Sequence, residues 1–374
     1  MTRIEELQNQ LIAAREAYYN GEPIMRDDEY DAIEDELLQL DPENALLAGI
    51  GEDESDGFPK AKHNILMGSQ SKCNTVEQIS KKLESFSSKG KVAFLVEDKC
   101  DGISLEMNYK DGNLVSCITR GNGYIGDDIT VNAKKMVGIP HKLKDSFTLS
   151  VRGEILLFHD DKDKYFPDLK NCRNSASGIA KNKEGEGCEH LTVVSYDVQG
   201  DSPELFTKET NKVQFLKDNG FNVTNMKLLL ADCTTRESRE KSANEMYQAM
   251  LELSSNEERP YDTDGIVVKT NNVDWDDQRN NLHPTTQWAI KPPAEHRQSK
   301  LLDIEWSMKN GTLTPVAVFE PIEIDGATIQ RATLNNARYI ENLKIEIGDI
   351  LDICRSNMVI PRVLGNISKG TKVI

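Results

Sequence analysis

Val92-Ala93-Phe94-Leu95-Val96-Glu97-Asp98-Lys99-Cys100-Asp101-Gly102 passes from an apolar run straight into charged residues and then glycine. The apolar part has the length and composition of a buried strand, and Gly102 punctuates its end. A lysine emerging from such a strand is the unusual feature. In its neutral form such an amine attacks phosphorus and forms a phosphoramidate, which is covalent catalysis. Taken alone, Lys-x-Asp-Gly also reads as a charged turn.

The period-two pattern continues outward. Leu105, Met107 and Tyr109 alternate along a second strand, and Asp111-Gly112 turns the chain into Leu114–Ile118. Further strands are expected at 147–158, 191–198 and 264–269, with helices near 76–86, 210–219 and 237–253. Hairpins mixed with helices, without regular strand–helix alternation, give an α+β core with antiparallel sheets. After Pro292-Pro293 come short strands, Pro315–Phe319, Ile322–Ile324 and Ile350–Ile353, separated by Gly311, Gly326 and Gly348. That rhythm suits a small OB-like β-barrel. At the other end, Ile4, Leu7, Leu11, Ile12 and Tyr18 fall at helical spacing. A second helix carries Tyr30, Ile33, Leu37 and Leu38 and stops at Asp41-Pro42, giving an acidic helical hairpin. The segment Gly49–Pro59 reads as a linker. Three modules result: 1–66, 67–296 and 297–374.

At 374 residues the chain has room for two or three domains. No apolar run approaches the ~20 residues of a membrane span, and the N-terminus lacks a secretory h-region. Cys73, Cys100, Cys117, Cys172, Cys188, Cys233 and Cys354 form no C-x-x-C pair. Reduced thiols in a cytoplasmic protein are expected, with no zinc in this chain. The net charge of −17 argues against nucleic acid, but it is local. Residues 1–60 carry 17 acidic and 4 basic side chains (−13), residues 297–374 carry 9 and 10 (+1).

Gly121-Asn122-Gly123-Tyr124-Ile125-Gly126 satisfies the G-x-G-x-x-G dinucleotide pattern. It follows a hairpin strand in mid-chain and precedes Asp127-Asp128, so it reads as a glycine-rich turn. Other charged groups recur at strand ends: Arg120, Val151-Arg152-Gly153-Glu154, Asp264-Gly265-Ile266-Val267-Val268-Lys269 and Trp288-Ala289-Ile290-Lys291. Apolar strands that repeatedly end in cations suggest a polyphosphate cleft.

The ordered set Lys-x-Asp-Gly, Arg-Gly-Glu, Asp-Gly-x-Val-x-Lys and Trp-Ala-x-Lys resembles the nucleotidyltransferase core of covalent ligases. Thr119–Gly123, Arg173-Asn174-Ser175-Ala176-Ser177-Gly178, Arg331-Ala332-Thr333-Leu334-Asn335-Asn336 and Ile347-Gly348-Asp349 with Val359-Ile360-Pro361 narrow the resemblance. They resemble the NAD-dependent DNA ligases of bacteria and some viruses, over nearly the whole chain.

The resemblance implies that Lys99 takes AMP from NAD and releases nicotinamide mononucleotide. Glu97 would read the adenine. Arg120 and Glu154 would surround the ribose and a Mg²⁺ ion, with Glu154 the metal ligand, and Asp101 and Arg173 would also bind the cofactor. Lys269 and Lys291 would hold the α-phosphate, and Ser69-Gln70 would lie against the adenosine. Tyr18, Tyr19, Asp27, Tyr30 and Asp31 would grip the nicotinamide mononucleotide half, where acidic and aromatic groups suit a cationic ring. Lys309, Arg331, Arg338 and Arg355 are the expected barrel contacts to nicked duplex DNA. The resemblance is to the N-terminal catalytic portion of the family, and an enzyme lacking its zinc-finger, helix-hairpin-helix and BRCT modules is expected. The alternatives to a self-contained enzyme are a self-adenylating subunit with a second polypeptide supplying those modules, or an RNA-sealing relative.

Overall fold

In the computed structural model, Lys91–Cys100 (β1) is an interior strand of a five-stranded sheet, paired on both sides. The residues described are 3–19, Ile33, Leu37, Leu40 and 57–372, apart from 170, 203, 255–257, 293–295, 310–311, 325–326 and 357–359.

Residues 48–292 form one unit containing two five-stranded sheets. Its longer strands are Ile103–Lys110 (β2), Asn113–Thr119 (β3), Leu149–Leu157 (β4), Leu191–Gly200 (β5), Met226–Asp232 (β6), Thr263–Thr270 (β7) and Gln287–Ile290 (β8). The first sheet runs β6-β1-β7-β8 and adds Ser71–Cys73; the second runs β3-β2-β4-β5 and adds Asn222–Val223. The hairpin at Asp111-Gly112 has φ of 49° and 76°, both positive as a two-residue type I′ connection requires.

Each sheet buries one face in its own apolar cluster. Phe94 and Val96 of β1, Ile266 and Val268 of β7, and Trp288 of β8 join Ile79, Leu83, Met246 and Met250 from helices Val76–Glu84 and Arg236–Ser254. Leu105, Met107, Val151 and Ile155 join Ala176, Ile179 and Leu216 from helices Cys172–Ala180 and Glu209–Asp218. Alternation then fixes the opposite faces. Glu97, Lys99 and Lys269 stand on the polar side of the first sheet, Ser104, Glu106, Asn108, Ser150, Arg152 and Glu154 on that of the second. Lys269 Nζ donates to the carbonyl of Tyr196 in β5 at 2.7 Å, so the two polar faces meet.

The glycine-rich run after β3 is a turn. The amide of Gly123 donates to the carbonyl of Arg120, and the chain continues into the short strand Ile125–Asp127, with no helix opening there. Gly121 and Gly123 adopt φ of 52° and 89°. Asp127 pairs with Lys60 and Lys181 at 3.0 and 2.9 Å. Lys60–Lys62, upstream of the expected boundary at residue 66, pairs with Ile125–Asp127, and Ile65 is buried.

The C-terminal strands are His296–Lys309 (β9), Thr312–Ile324 (β10), Ala327–Thr333 (β11), Ile350–Ser356 (β12) and Ile360–Asn366 (β13). Their order β11-β10-β9-β12-β13 closes where Thr333 pairs with Arg362, giving a five-stranded barrel. Leu301, Phe319, Ile329, Leu351 and Val363 fill it, with Leu343 from helix Ala337–Leu343. The strands expected at Pro315–Phe319 and Ile322–Ile324 are a single strand. Its register shifts between Val318 and Ile322, at Pro321, which has no N–H for the ladder.

In the N-terminal segment, helix Arg3–Tyr19 buries Leu7 and Leu11 against Leu37, with Ile4 and Ile33 beside them. Ile12, placed on the apolar face by spacing, is 40% exposed. Asp27, Tyr30 and Asp31 and the side chains of Tyr18 and Tyr19 lie outside the described residues.

Candidate active site

β1 and β7 run antiparallel, with Val267 opposite Glu97 and Ile266 opposite Asp98. A register shift between Thr263 and Ile266 sets Asp264 beside Lys99. The Lys99 ammonium lies 3.1 Å from Asp264 Oδ2, and the Lys291 ammonium lies 2.5 Å from the same oxygen. Lys291 reaches this point because it directly follows β8, which pairs with β7. Two cations therefore share one carboxylate oxygen. Burial alone would raise the Asp264 carboxyl, but Lys99 and Lys291 outweigh it and hold it below the usual range. Burial lowers the Lys291 amine below the ordinary lysine value; Asp264 opposes this and Lys99 adds to it.

The opposite sheet contributes Glu154 from β4. Its Oε2 accepts from Ser104 Oγ at 3.1 Å. Burial pushes its carboxyl up to about 7, against the nearby charges of Lys99 and Arg173. Asp101, just past β1, accepts from Arg173 Nη1 at 2.5 Å. Arg173 is the second residue of helix Cys172–Ala180, whose start is fixed by Asn171 Oδ1 accepting from the Asn174 amide. Lys99, Asp101, Glu154, Arg173, Asp264 and Lys291 thus form one partly open cluster of mixed charge.

Glu97 and Lys269 sit deeper. Lys269 Nζ lies 2.6 Å from Glu97 Oε1, and both side chains are 2% exposed. Burial raises the Glu97 carboxyl even with Lys269 beside it. Burial tends to lower Lys269, but Glu97, Glu209 and Asp197 outweigh it and raise the amine. Asp197 in turn pairs with Lys212 at 2.8 Å and Arg152 at 3.5 Å, and Lys212 pairs with Glu209 at 3.0 Å. The floor of the cleft is therefore a charge-compensated network, as buried ions require.

Arg120 is exposed at the end of β3. His63, whose ring is enclosed, donates from Nε2 to the Arg120 carbonyl at 3.0 Å, with Nδ1 2.7 Å from Glu106 Oε2. Ser69 lies 3.2 Å from His283 Nδ1, and Gln70 is half-buried. In the barrel, Arg331 pairs with Glu305 and Arg338 is exposed. The side chains of Lys309 and Arg355 lie outside the described residues.

Two groups escaped the sequence reading. Asp264 was visible only as the first residue of Asp-Gly-x-Val-x-Lys, with nothing to mark it as the shared partner of two lysines. Asp98 lies between Glu97 and Lys99 but points the other way. It pairs with Arg259 at 3.1 Å and accepts from Tyr261 Oη at 3.1 Å and Asn225 Nδ2 at 3.0 Å. Its role is to anchor β1, and only the alternation of the strand hints at it.

Residues 55–293 match the family model for the NAD-dependent DNA ligase adenylation domain, and residues 298–372 match that for the NAD-dependent DNA ligase OB-fold domain. A DNA ligase of Treponema denticola is 35% identical over 96% of this chain and 56% of its own length. One from Treponema pallidum is 33% identical over 96% of this chain and 44% of its own. One from Sorangium cellulosum is 34% identical over 96% and 56%. The chain spans about half the length of these relatives.

Proposed function

The chain belongs to the NAD-dependent DNA ligase family, and from that premise we propose that it adenylates itself on Lys99 with NAD and passes the AMP to the 5′-phosphate of a nick in duplex DNA. The observation that carries this reading is the pair of ammonium groups sharing Asp264 Oδ2. A phosphate entering the cluster competes with Asp264 for both cations. Lys99 is thereby freed to attack, while Lys291 remains to stabilise the charge on the phosphoryl oxygens. A bond forms between Lys99 Nζ and the α-phosphorus, and the bond to the nicotinamide mononucleotide phosphate breaks. Lys99, an ammonium while it pairs with Asp264, loses one proton to solvent before its neutral amine attacks, and the nitrogen loses a second once its bond to phosphorus has formed. In the second step the 5′-phosphate oxygen of DNA displaces Lys99. In the third the 3′-hydroxyl attacks the activated phosphate and releases AMP.

The donor set fits a hard divalent cation such as Mg²⁺, since Glu154 and Asp101 offer carboxylate oxygens beside the cluster. Such an ion supplies charge neutralisation at the phosphate. Glu154, held up to about 7 by burial, gains its charged form when a cation is present. Glu97 and Lys269 line the floor, where their pairing leaves a carboxylate acceptor and a fixed positive charge for the adenylate. The N-terminal helices supply the nicotinamide mononucleotide contacts through Tyr18, Tyr19, Asp27, Tyr30 and Asp31. The barrel binds DNA through Lys309, Arg331, Arg338 and Arg355, with nick sealing that weakens steeply as salt rises.

The test is incubation with adenine-labelled NAD and Mg²⁺. The reading expects covalently labelled protein and one nicotinamide mononucleotide released per label, with ATP unable to replace NAD. Labelling from ATP but not NAD would contradict it.

A further inference from the structure

We propose that His159, Cys172 and Asp262 form a binding site for a thiophilic divalent cation of the zinc class, close to Asp101. The three side chains come from separate elements. His159 opens helix His159–Tyr165, Cys172 opens helix Cys172–Ala180, and Asp262 immediately precedes β7. One nitrogen, one sulfur and one carboxylate oxygen lie within 4.8 Å of one another. His159 Nε2 is 2.9 Å from Asp262 Oδ1. The imidazole and carboxylate are nearly half exposed, while Cys172 is 7% exposed beneath them, so the cluster is open on one side and closed on the other.

The scaffold under the cluster is braced. Phe158 and Tyr261, the residues before His159 and Asp262, pack ring against ring at 5.6 Å. The His159 amide donates to the Pro260 carbonyl at 2.8 Å. The Asn171 cap holds Cys172 in the first helical turn. Side chains carried on fixed backbone need little movement to reach ligand distances of about 2.0–2.3 Å.

Donor chemistry selects the metal. Imidazole with a thiolate suits zinc, cobalt and related ions, while Mg²⁺ and Ca²⁺ prefer oxygen alone. Three protein ligands leave a fourth position for water. A thiolate and a carboxylate together neutralise a divalent charge. Burial and the Asp262 charge push the Cys172 thiol up to about 11, against Lys162, so metal entry must displace a proton. Lys162 itself is engaged by Asp163 at 2.9 Å.

The placement ties the site to the proposed chemistry without sharing a residue with it. The Asp262 carbonyl accepts from the Asp101 amide at 3.0 Å, and Cys172 directly precedes Arg173, which holds the Asp101 carboxylate. A bound ion would fix both supports of Asp101. Short ligand spacings along the sequence cannot mark such a site, because His159, Cys172 and Asp262 lie far apart in the chain.

The experiment uses the full untagged chain, stripped with chelator and titrated with Co²⁺ and then Zn²⁺. The expected result is one Co²⁺ per chain, with a sulfur-to-cobalt charge-transfer band in the near ultraviolet that Zn²⁺ bleaches. Cys172→Ser should abolish the band, and Cys233→Ser, in the other sheet's core, should keep it. His159→Gln, at a half-exposed position that leaves folding intact, should weaken Zn²⁺ binding at least tenfold. A missing band, a band that survives Cys172→Ser, or Zn²⁺ affinity unchanged in His159→Gln would overturn the proposal.

Discussion

Lys269 Nζ and Glu97 Oε1 lie 2.6 Å apart at the floor of the cleft, both side chains almost fully enclosed. Removing one partner of such a pair strands a charge in the interior, which costs about 3–5 kcal/mol, whereas replacing both with apolar residues costs much less. Lys269→Met should therefore lower unfolding stability by about 3 kcal/mol, and adding Glu97→Leu should recover most of the loss. Urea denaturation of the two single variants and the double variant checks this, and near-additive losses would mean the pair is not coupled.

Neighbouring residues on β1 should behave oppositely. Asp98 is locked to Arg259, Tyr261 and Asn225 on one face, and Lys99 shares Asp264 on the other. Asp98→Ala is expected to lose about 3 kcal/mol or more of stability. Lys99→Ala, at a partly exposed side chain whose carboxylate partner keeps Lys291, should change stability by about 1 kcal/mol or less while eliminating the adduct. Thermal melts of the purified variants separate the two.

Glu154 makes stability depend on pH in a defined direction. Its carboxyl is raised from 4.5 to about 7 by burial. The folded state therefore holds this proton more tightly than the unfolded chain. The contribution is fully present below about pH 4.5 and is lost as pH rises through about 7. In chelator-containing buffer, the stability of the native chain relative to Glu154→Gln should fall between these values, by up to about 3 kcal/mol. A difference that stays constant with pH would contradict the assignment.

Removing the N-terminal helices should separate two reactions. Deleting residues 1–47 leaves Lys60–Lys62 paired with Ile125–Asp127 and Ile65 buried, which a cut at residue 66 would destroy. The truncated chain should lose labelling from NAD by at least a hundredfold, yet still seal DNA carrying a preformed 5′-adenylate. Single-turnover sealing on the two substrates measures this; normal labelling from NAD would give the helices another role.

Much of this architecture was legible because local patterns carried it. The apolar run Val92–Val96, the Asp111-Gly112 turn and the helices near 210–219 and 237–253 all appear within a few residues of expectation. The cluster around Lys99 was legible in part as strand ends, since Lys99, Asp264 and Lys291 lie at or beside the ends of adjacent strands, whereas Glu154, expected to end a strand, lies inside Leu149–Leu157. Pairing was not legible. Alternation says that Glu97 and Lys99 share a face but not that Glu97 takes Lys269, or that Lys99 and Lys291 take Asp264. Those partners depend on the register between β1, β7 and β8 and on the shift after Thr263, which are long-range facts. The one strand read as two, Thr312–Ile324, misled because Pro321 looks like a terminator and instead sits at an irregularity.

The most direct test of the account is the position of the AMP. The purified chain is incubated with NAD and Mg²⁺, its intact mass is measured, and the modified peptide is sequenced. The account predicts a single AMP, attached at Lys99, and no adduct on a folded Lys99→Ala variant. An adduct carried by Lys269 or Lys291, or one that persists on Lys99→Ala, would contradict it.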